Sequence, residues 1–330
     1  MDKTKQIFIV GSSRSGTTMM GRILGNHSSI FTFKELHFFG TIWTNKSESN
    51  LNMAQQVDLL SRLLCIEKNG LFILDNISDF NVRASTMLAN KDVSNPLSIY
   101  ELFLAEITLD NKCFISCEQT PKNMYYLNEI LSYFPNAKVI NMVRDQRDVL
   151  LSQKNKWKRR FLGASKTPFL EAIRSYINYH PILSAKIWNS SLEYTATFTN
   201  NSRVRVVRFE GLLVEPIRII KELCHFLEID FNQEMLKVPV IGSSTHQDIK
   251  SKFYIDSSKK GKWKDGGLNS AEIYLSQLVT NKMMRKFKYD VEKFNFPPIL
   301  ILFYLVSFPI KLILAFILNI KRMGNTLEVI

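Results

Sequence analysis

The sequence predicts an α/β fold of three layers, with helices on both sides of a central, mostly parallel sheet, followed by an apolar C-terminal helical tail. Three observations predict it. Short apolar runs alternate with stretches of helical periodicity, as expected of strands joined by helical crossovers. The first run, Ile7-Phe-Ile-Val10, leads directly into a glycine-bounded loop and then a helical stretch. Residues 297–320 read PPILILFYLVSFPIKLILAFILNI, with Lys311 the only charge. With 45% hydrophobic and 22% charged residues, the 330-residue chain has the composition of a globular protein, which excludes wholesale disorder and low complexity.

In chain order, the candidate strands are 6–10, 112–118, 137–143 and 204–209, each short and bounded by polar residues. A long, mainly helical insertion separates the first two. Within it, Leu59, Leu60, Leu63 and Leu64 share one helical face, and Asn95-Pro96 supplies an N-cap and first-turn proline for a helix through Ile107. Helices over 122–134 and 217–229 follow their strands. No internal repeat or Gly/Ser linker divides the body, so 1–290 reads as one domain and 291–330 as a hydrophobic tail. Some 22 helical residues at about 1.5 Å each span about 33 Å, enough for a bilayer core. Pro309 and Lys311 near the middle argue against a simple span. Tyr304, Ser307 and Lys311 form one stripe, which would let an in-plane helix snorkel its charge to the interface, with Lys321-Arg322 as a basic flank. Membrane association through 297–320 is therefore expected, with spanning and in-plane arrangements both open; a buried core or oligomer helix is the other reading. The apolar run at 7–10 is too short for a signal-peptide core, so the body is expected to be cytoplasmic, at the inner face of a membrane.

The balance of 43 Lys+Arg against 30 Asp+Glu, a formal charge of +13, suits an anionic partner. No zinc-finger spacing or aromatic RNA-binding strand motif points to nucleic acid. The densest basic cluster, Lys154-Asn-Lys-Trp-Lys-Arg-Arg160, reads equally as a solvated face. Four cysteines (Cys65, Cys113, Cys117, Cys224) are too few for a disulfide scaffold, and Cys113 and Cys117 lack a matching Cys/His pair. Reduced buried thiols and no metal site are expected.

The loop Gly11-Ser-Ser-Arg-Ser-Gly-Thr-Thr18 carries the chemistry. Its glycines stand five apart, as in the phosphate-binding loop of P-loop-type folds, and hydroxyl residues open the following helix. Such a loop aims backbone N–H groups and a helix N-terminus at an anion. Thr17 stands where a nucleotide hydrolase has its lysine, and Arg14 carries the positive charge instead, so a phosphate-like group is expected but not a triphosphate. A second motif, Val143-Arg-Asp-Gln-Arg-Asp148, ends a buried strand and leads into a helix bearing Ser152. Arg144 lies where open α/β sheets bind ligands, and a guanidinium with a hydroxyl suits a phosphate dianion; pairing with Asp145 or Asp148 is the alternative.

Gly-x-x-Arg-Ser-Gly-Thr-Thr after a first strand resembles the 5′-phosphosulfate loop of the sulfotransferases that use 3′-phosphoadenosine 5′-phosphosulfate (PAPS). The arginine form looks like the protein-tyrosine, carbohydrate and bacterial branch. The resemblance implies that Arg14, Ser15, Gly16, Thr17 and Thr18 hold the 5′-phosphosulfate, with Arg14 also acting in catalysis. It implies that Arg144 and Ser152 hold the 3′-phosphate, helped by Ser244 and Lys262 from late segments. Glu35 follows the loop arginine at the offset of the family's general base, with His37 as rival. Glu118-Gln-Thr-Pro121 is similar to a family segment with lysine in place of Gln119, and Phe209 replaces a common tyrosine. Lys156 stands where tyrosylprotein members have a basic phosphate contact. The implied activity is sulfuryl transfer from PAPS, as co-substrate and without a metal, to a hydroxyl of a glycan or lipid-linked acceptor rather than protein tyrosine. The rival readings are a P-loop kinase or NTPase and a non-catalytic nucleotide-binding membrane protein.

Overall fold

The computed structural model describes residues 5–47, 49–71, 74, 76–165, 167–242, 244, 247–293 and 297–327. In order, the elements are β1 (Lys5–Gly11), α1 (Thr17–Gly25), β2 (Ile30–Thr32), α2 (Met53–Asn69), α3 (Asn81–Leu88), α4 (Pro96–Asp110), β3 (Ile115–Glu118), α5 (Leu127–Tyr133), β4 (Lys138–Val143), α6 (Gln146–Lys154), α7 (Phe169–Ile177), α8 (Pro181–Thr197), β5 (Val204–Arg208), α9 (Phe209–Val214), α10 (Pro216–Leu227), the antiparallel pair β6 (Pro239–Val240) and β7 (Ile249–Phe253), α11 (Ser270–Lys286) and α12 (Pro298–Leu327).

The main sheet has the order β2-β3-β1-β4-β5. Every pairing in it is parallel, for example Ile7 opposite Cys117 and Ile9 opposite Ile140. Parallel strands need covering on both faces, and β1 shows how the sequence provides it. Ile7 and Ile9 point into a core with Met20, Ile23, Leu223 and Leu227 from α1 and α10. Phe8 and Val10 point into a second core with Leu60, Leu63, Phe103 and Leu104 from α2 and α4. The period-2 alternation thus divides one apolar run between two helical layers.

Asn95 caps α4 by accepting from the Leu97 amide at 2.8 Å, with Pro96 in the first turn as the sequence indicates. The run 112–118 enters the sheet only at Ile115, because Lys112 takes a left-handed φ of 59° in the turn leaving α4. The stretch 122–134 is divided, with a 3-10 segment Pro121–Tyr126 ahead of α5. β2, β6 and β7 were not anticipated; β2 has three residues, too few for a periodic signal.

α12 is the one helix among the described residues long and apolar enough to cross a membrane. Its polar stripe does not reach outward as the sequence suggested. Lys311 donates to the Tyr179 carbonyl at 3.0 Å, the Tyr304 carbonyl lies 3.0 Å from His180 Nε2, and Asn269 donates to the Tyr304 hydroxyl at 3.0 Å. The stripe is spent on the protein body because a lysine and a tyrosine hydroxyl find partners there. The side chains of Lys321 and Arg322 lie outside the described residues. The four cysteines are free thiols, with Cys113 half-buried rather than buried.

Candidate active site

Two adjacent strands aim their carboxyl ends at one cavity. β1 releases the chain into the loop 11–16, and the loop's glycines are set by geometry. A Cβ on Gly11 would lie 2.2 Å from the Met142 carbonyl oxygen of β4, and one on Gly16 (φ +95°) would lie 2.4 Å from the Phe209 ring. Arg14 also takes a positive φ of 71°. The turn is closed by the Ser15 amide donating to the Ser12 carbonyl at 3.1 Å, and α1 then begins at Thr17 with no side chain capping it. The first-turn amides and the helix dipole therefore face the cavity available to an anion.

The cavity has a volume of about 370 Å³ and is lined by Arg14, Gly16, Thr17, Thr18, Glu35, Arg144, Ser152, Ser244 and Lys262, among others. Of the residues implied to hold the cofactor or act in catalysis, Ser15 does not line it, its hydroxyl being buried without a partner; neither do His37, the rival base, nor Lys156, which lines a smaller cavity nearby. Arg14 does not lie along its own loop. Its Nε donates to Ser152 Oγ at 2.9 Å and its Nη2 to the Gly242 carbonyl at 3.0 Å, while Ser152 Oγ and Ser244 Oγ are 3.2 Å apart. The two sequence motifs are thus joined by direct hydrogen bonds.

Arg144 stacks on the Phe209 ring at 4.6 Å and donates to the carbonyls of Arg14 (3.3 Å) and Lys259 (3.0 Å); its Nε is buried and unpartnered. Of its two suggested acidic partners, Asp148 lies 3.6 Å away, whereas Asp145 is held by Arg147. Asp148 is already engaged by the amides of Gly261 and Trp263, both at 3.0 Å. It therefore ties α6 to the segment carrying Lys262, whose ammonium lies 3.2 Å from Asp265.

The site is short of negative charge. Burial, then the positive charges of Arg144 and Arg159, pull the Arg14 guanidinium down to about 10, with Glu35 opposing. Burial pulls Arg22 and Lys259 down as well, Lys259 further by Arg144 and Arg22. Repelling cations around a cavity are relieved by a multivalent anion. The α1 amides, Arg14, Arg144, Ser152 and Ser244 all face this one cation-rich cavity.

Glu35 stands at the cavity edge with its Oε2 3.3 Å from His37 Nε2, so the two candidate bases touch. The buried Glu118 positions their segment. Its carboxylate accepts from the amides of Leu36 (3.3 Å) and Thr120 (3.2 Å) and from the side chains of Thr120 and Asn123, and Thr120 Oγ1 accepts from the His37 amide at 3.2 Å. Burial pushes Glu118 up to about 7, against the pull of these donors. Gln119 packs behind α1 against Gly21 and does not line the cavity. Lys156 lies within the electrostatic reach of Arg14, Glu35 and Glu171.

Sequence reasoning missed Arg22, Lys259 and the Arg159–Asp248 pair (2.8 and 2.9 Å), which clasps the 3-10 segment Lys156–Phe161 to the chain after β6. Arg22 was findable: it stands four residues after Thr18 on α1, hence on the same helical face. No cluster able to hold a metal occurs among the described residues.

Comparison with known proteins accords with this geometry. The chain is 26% identical over 264 residues to an "Uncharacterized protein" of Aquifex aeolicus (strain VF5), covering 78% of this chain and 30% of that one. It is 27% identical over 135 residues to a Caenorhabditis elegans protein named "Putative protein-tyrosine sulfotransferase", covering 40% and 44%. The matches thus span less than half the length of either relative. Among solved structures, the sulfotransferase domain of the Synechococcus PCC 7002 olefin synthase superposes with a TM-score of 0.57 over 87% of this chain and 96% of that domain; at 19% identity the likeness is one of fold. Residues 6–233, from β1 into the 3-10 turn after α10, match the model of the Sulfotransferase family. With the loop and the second motif inside that match, and the cavity between them completed by residues 238–262 beyond it, this chain belongs to the sulfotransferase family.

Proposed function

We propose that the protein transfers a sulfuryl group from PAPS to a hydroxyl of a carbohydrate or lipid-linked acceptor, at a membrane that it meets through residues 297–320. The observation that carries the reading is the cation-rich cavity into which the uncapped start of α1, Arg14, Arg144 and Ser152 all project, with a carboxylate, Glu35, at its edge. PAPS supplies an activated sulfuryl group on a good leaving phosphate. The amides of residues 16–18 hold the 5′-phosphosulfate. Arg144, Ser152 and Ser244, with Lys262 nearby, hold the 3′-phosphate. Arg14, hydrogen-bonded to Ser152, lies between the two and neutralises charge on the departing 5′-phosphate. Glu35 takes the acceptor hydroxyl's proton as its oxygen bonds to sulfur and the bond from sulfur to the phosphate oxygen breaks.

Positioning and charge stabilisation, with proton removal by Glu35, make up the catalysis in this scheme. The body at 1–290 carries the chemistry, and the tail serves location. The test is transfer of radiolabelled sulfate from PAPS to panels of glycan and glycolipid acceptors. Glu35→Gln is expected to lower kcat by about 10²–10⁴-fold with the affinity for adenosine 3′,5′-bisphosphate unchanged. If His37→Ala abolishes turnover while Glu35→Gln does not, the base has been misassigned. If a tyrosine peptide is sulfated in preference to every glycan and lipid, the acceptor class is wrong.

A further inference from the structure

α12 divides cleanly by face. Ile301, Tyr304, Ser307, Lys311, Ala315, Leu318 and Asn319 are turned to the body. Ile299, Phe303, Val306, Ile310, Ile313 and Ile317 lie on the other side, each between 58 and 82% exposed. Four contacts fix the helix along its length: Ile301 packs with Ala271 and Leu275, Lys311 bonds to Tyr179 as above, Arg174 Nε donates to the Leu318 carbonyl at 3.0 Å, and Asn319 donates to Asn178 at 3.1 Å. A helix held at its first, middle and later turns by α11, α7 and the turn between α7 and α8 lies along the body and does not leave it.

The apolar face continues beyond α12. α7, clasped beneath it, exposes Phe169, Leu170, Ile173 and Tyr176. Tyr176 has Lys311 5.7 Å from its ring and Trp157 at 6.0 Å, and Trp157 leads to the exposed Phe161 at 6.3 Å. Basic groups border these rings: Lys158 lies over Trp157 at 5.6 Å and Arg160 over Phe169 at 6.0 Å. Here Lys158 and Arg160 of the cluster Lys154–Arg160 find a use that the nucleotide cavity does not give them.

We propose that α7 and α12 together form an in-plane docking face for a bilayer carrying anionic headgroups, with α12 lying in the interface and not crossing the membrane. The occupant follows from shape and charge. The exposed apolar residues of α12 also include Leu302, Leu305, Leu312 and Phe316, an arc wider than the two-position seam a second helix would cover. Aliphatic side chains flanked by Trp, Tyr, Lys and Arg match the acyl-to-headgroup boundary. α7 links this face to the chemistry, since Glu171, Arg174 and Tyr179 line a cavity of about 170 Å³ together with Ser12 and Lys156. That smaller cavity meets the loop 11–16 at Ser12, on a different side from the cavity residues Glu35 and Arg144. The proposal rests on the membrane reading above and specifies its geometry.

The test is flotation of the full chain with vesicles of phosphatidylcholine, with and without about one third phosphatidylglycerol, followed by depth measurement with a nitroxide or environment-sensitive label at Ile299→Cys, Val306→Cys, Ile313→Cys and Ile317→Cys. Binding is expected with both vesicles and is stronger with the anionic ones. Phe303→Asp with Ile310→Asp weakens it by about tenfold or more on both. Lys158→Glu with Arg160→Glu weakens it by on the order of tenfold on anionic vesicles only. The four labels report one shallow depth. A depth that is greatest at Val306 and shallow at both ends would mean that α12 spans, and overturns the in-plane geometry. Failure to float, with a stable dimer in solution lost on Phe303→Asp, overturns the membrane in favour of a second copy. Thermal stabilisation of each variant by adenosine 3′,5′-bisphosphate is measured in parallel, so failure of the membrane face is separated from failure of the nucleotide site.

Discussion

Arg144→Ala tests the division of the cavity into two phosphate sites. The Arg144 guanidinium lines the cavity and stacks on Phe209, and its buried Nε has no partner in the protein. A 3′-phosphate taking two charge-assisted hydrogen bonds there gains about 1.5–3 kcal/mol from each. Asp148 at 3.6 Å already offsets part of the charge, which favours the lower end. A total near 3 kcal/mol is roughly 150-fold in Kd. Asp148 keeps the amides of Gly261 and Trp263 after the substitution, so the latch to the Lys262 segment survives. The assay is calorimetric titration of wild type and variant with adenosine 3′,5′-bisphosphate and with AMP, which lacks the 3′-phosphate. Wild type is expected to prefer the bisphosphate by about 10²-fold, and the variant to bind both within a few-fold of each other. Equal weakening of both ligands, or a preference that survives, would refute the assignment.

Other consequences follow from the same geometry. Gly16→Ala places a Cβ 2.4 Å from Phe209 at φ +95°, and is expected to cost about 1–3 kcal/mol in thermal unfolding and most bisphosphate affinity; adding Phe209→Ala relieves the clash but not the left-handed backbone, so rescue is partial. Glu118 has a folded pKa of about 7, raised by burial from an ordinary 4.5. Its protonated form therefore contributes stability that is complete below pH 4.5 and is lost as pH rises through 7. Glu118→Gln should flatten the fall in stability over that window, read by urea unfolding at a series of pH values. It should also lower kcat more than it raises KM, because the segment carrying Glu35 loses its anchor. Asp248→Asn removes the charge and one of the two acceptors for Arg159, beside the cavity-lining Gly242 and Ile249, and is expected to speed dissociation of the bisphosphate in stopped-flow while leaving secondary structure intact.

What was legible in the sequence was local. The loop 11–18 and the run 143–152 announce themselves because strand, turn and helix start follow one another within a few residues, and backbone geometry then aims their polar groups. The apolar run of β1 was equally readable, though not its division between two cores. The remainder depends on partners far apart in the chain. Arg14 reaching Ser152, Asp148 latching Gly261, and Arg159 clasping Asp248 join segments about a hundred residues apart, and no periodicity marks such pairs. Glu118 looked like a fragment of a motif; its work is visible only when Leu36 and Thr120 fold onto it. The polar stripe of α12 was correctly seen as a stripe and wrongly aimed, because sequence spacing gives the face of a helix but not which side meets the protein.

The most direct test of the central claim is thermal unfolding of the full chain with adenosine 3′,5′-bisphosphate, ADP and ATP–Mg²⁺ in turn. At about 100 times its Kd, a ligand bound only by the folded state adds about 2.7 kcal/mol. Stabilisation by the bisphosphate alone, lost in Arg144→Ala, is the predicted result. Stabilisation by ATP–Mg²⁺ in its place would contradict the account and return the loop at 11–18 to the kinases and NTPases.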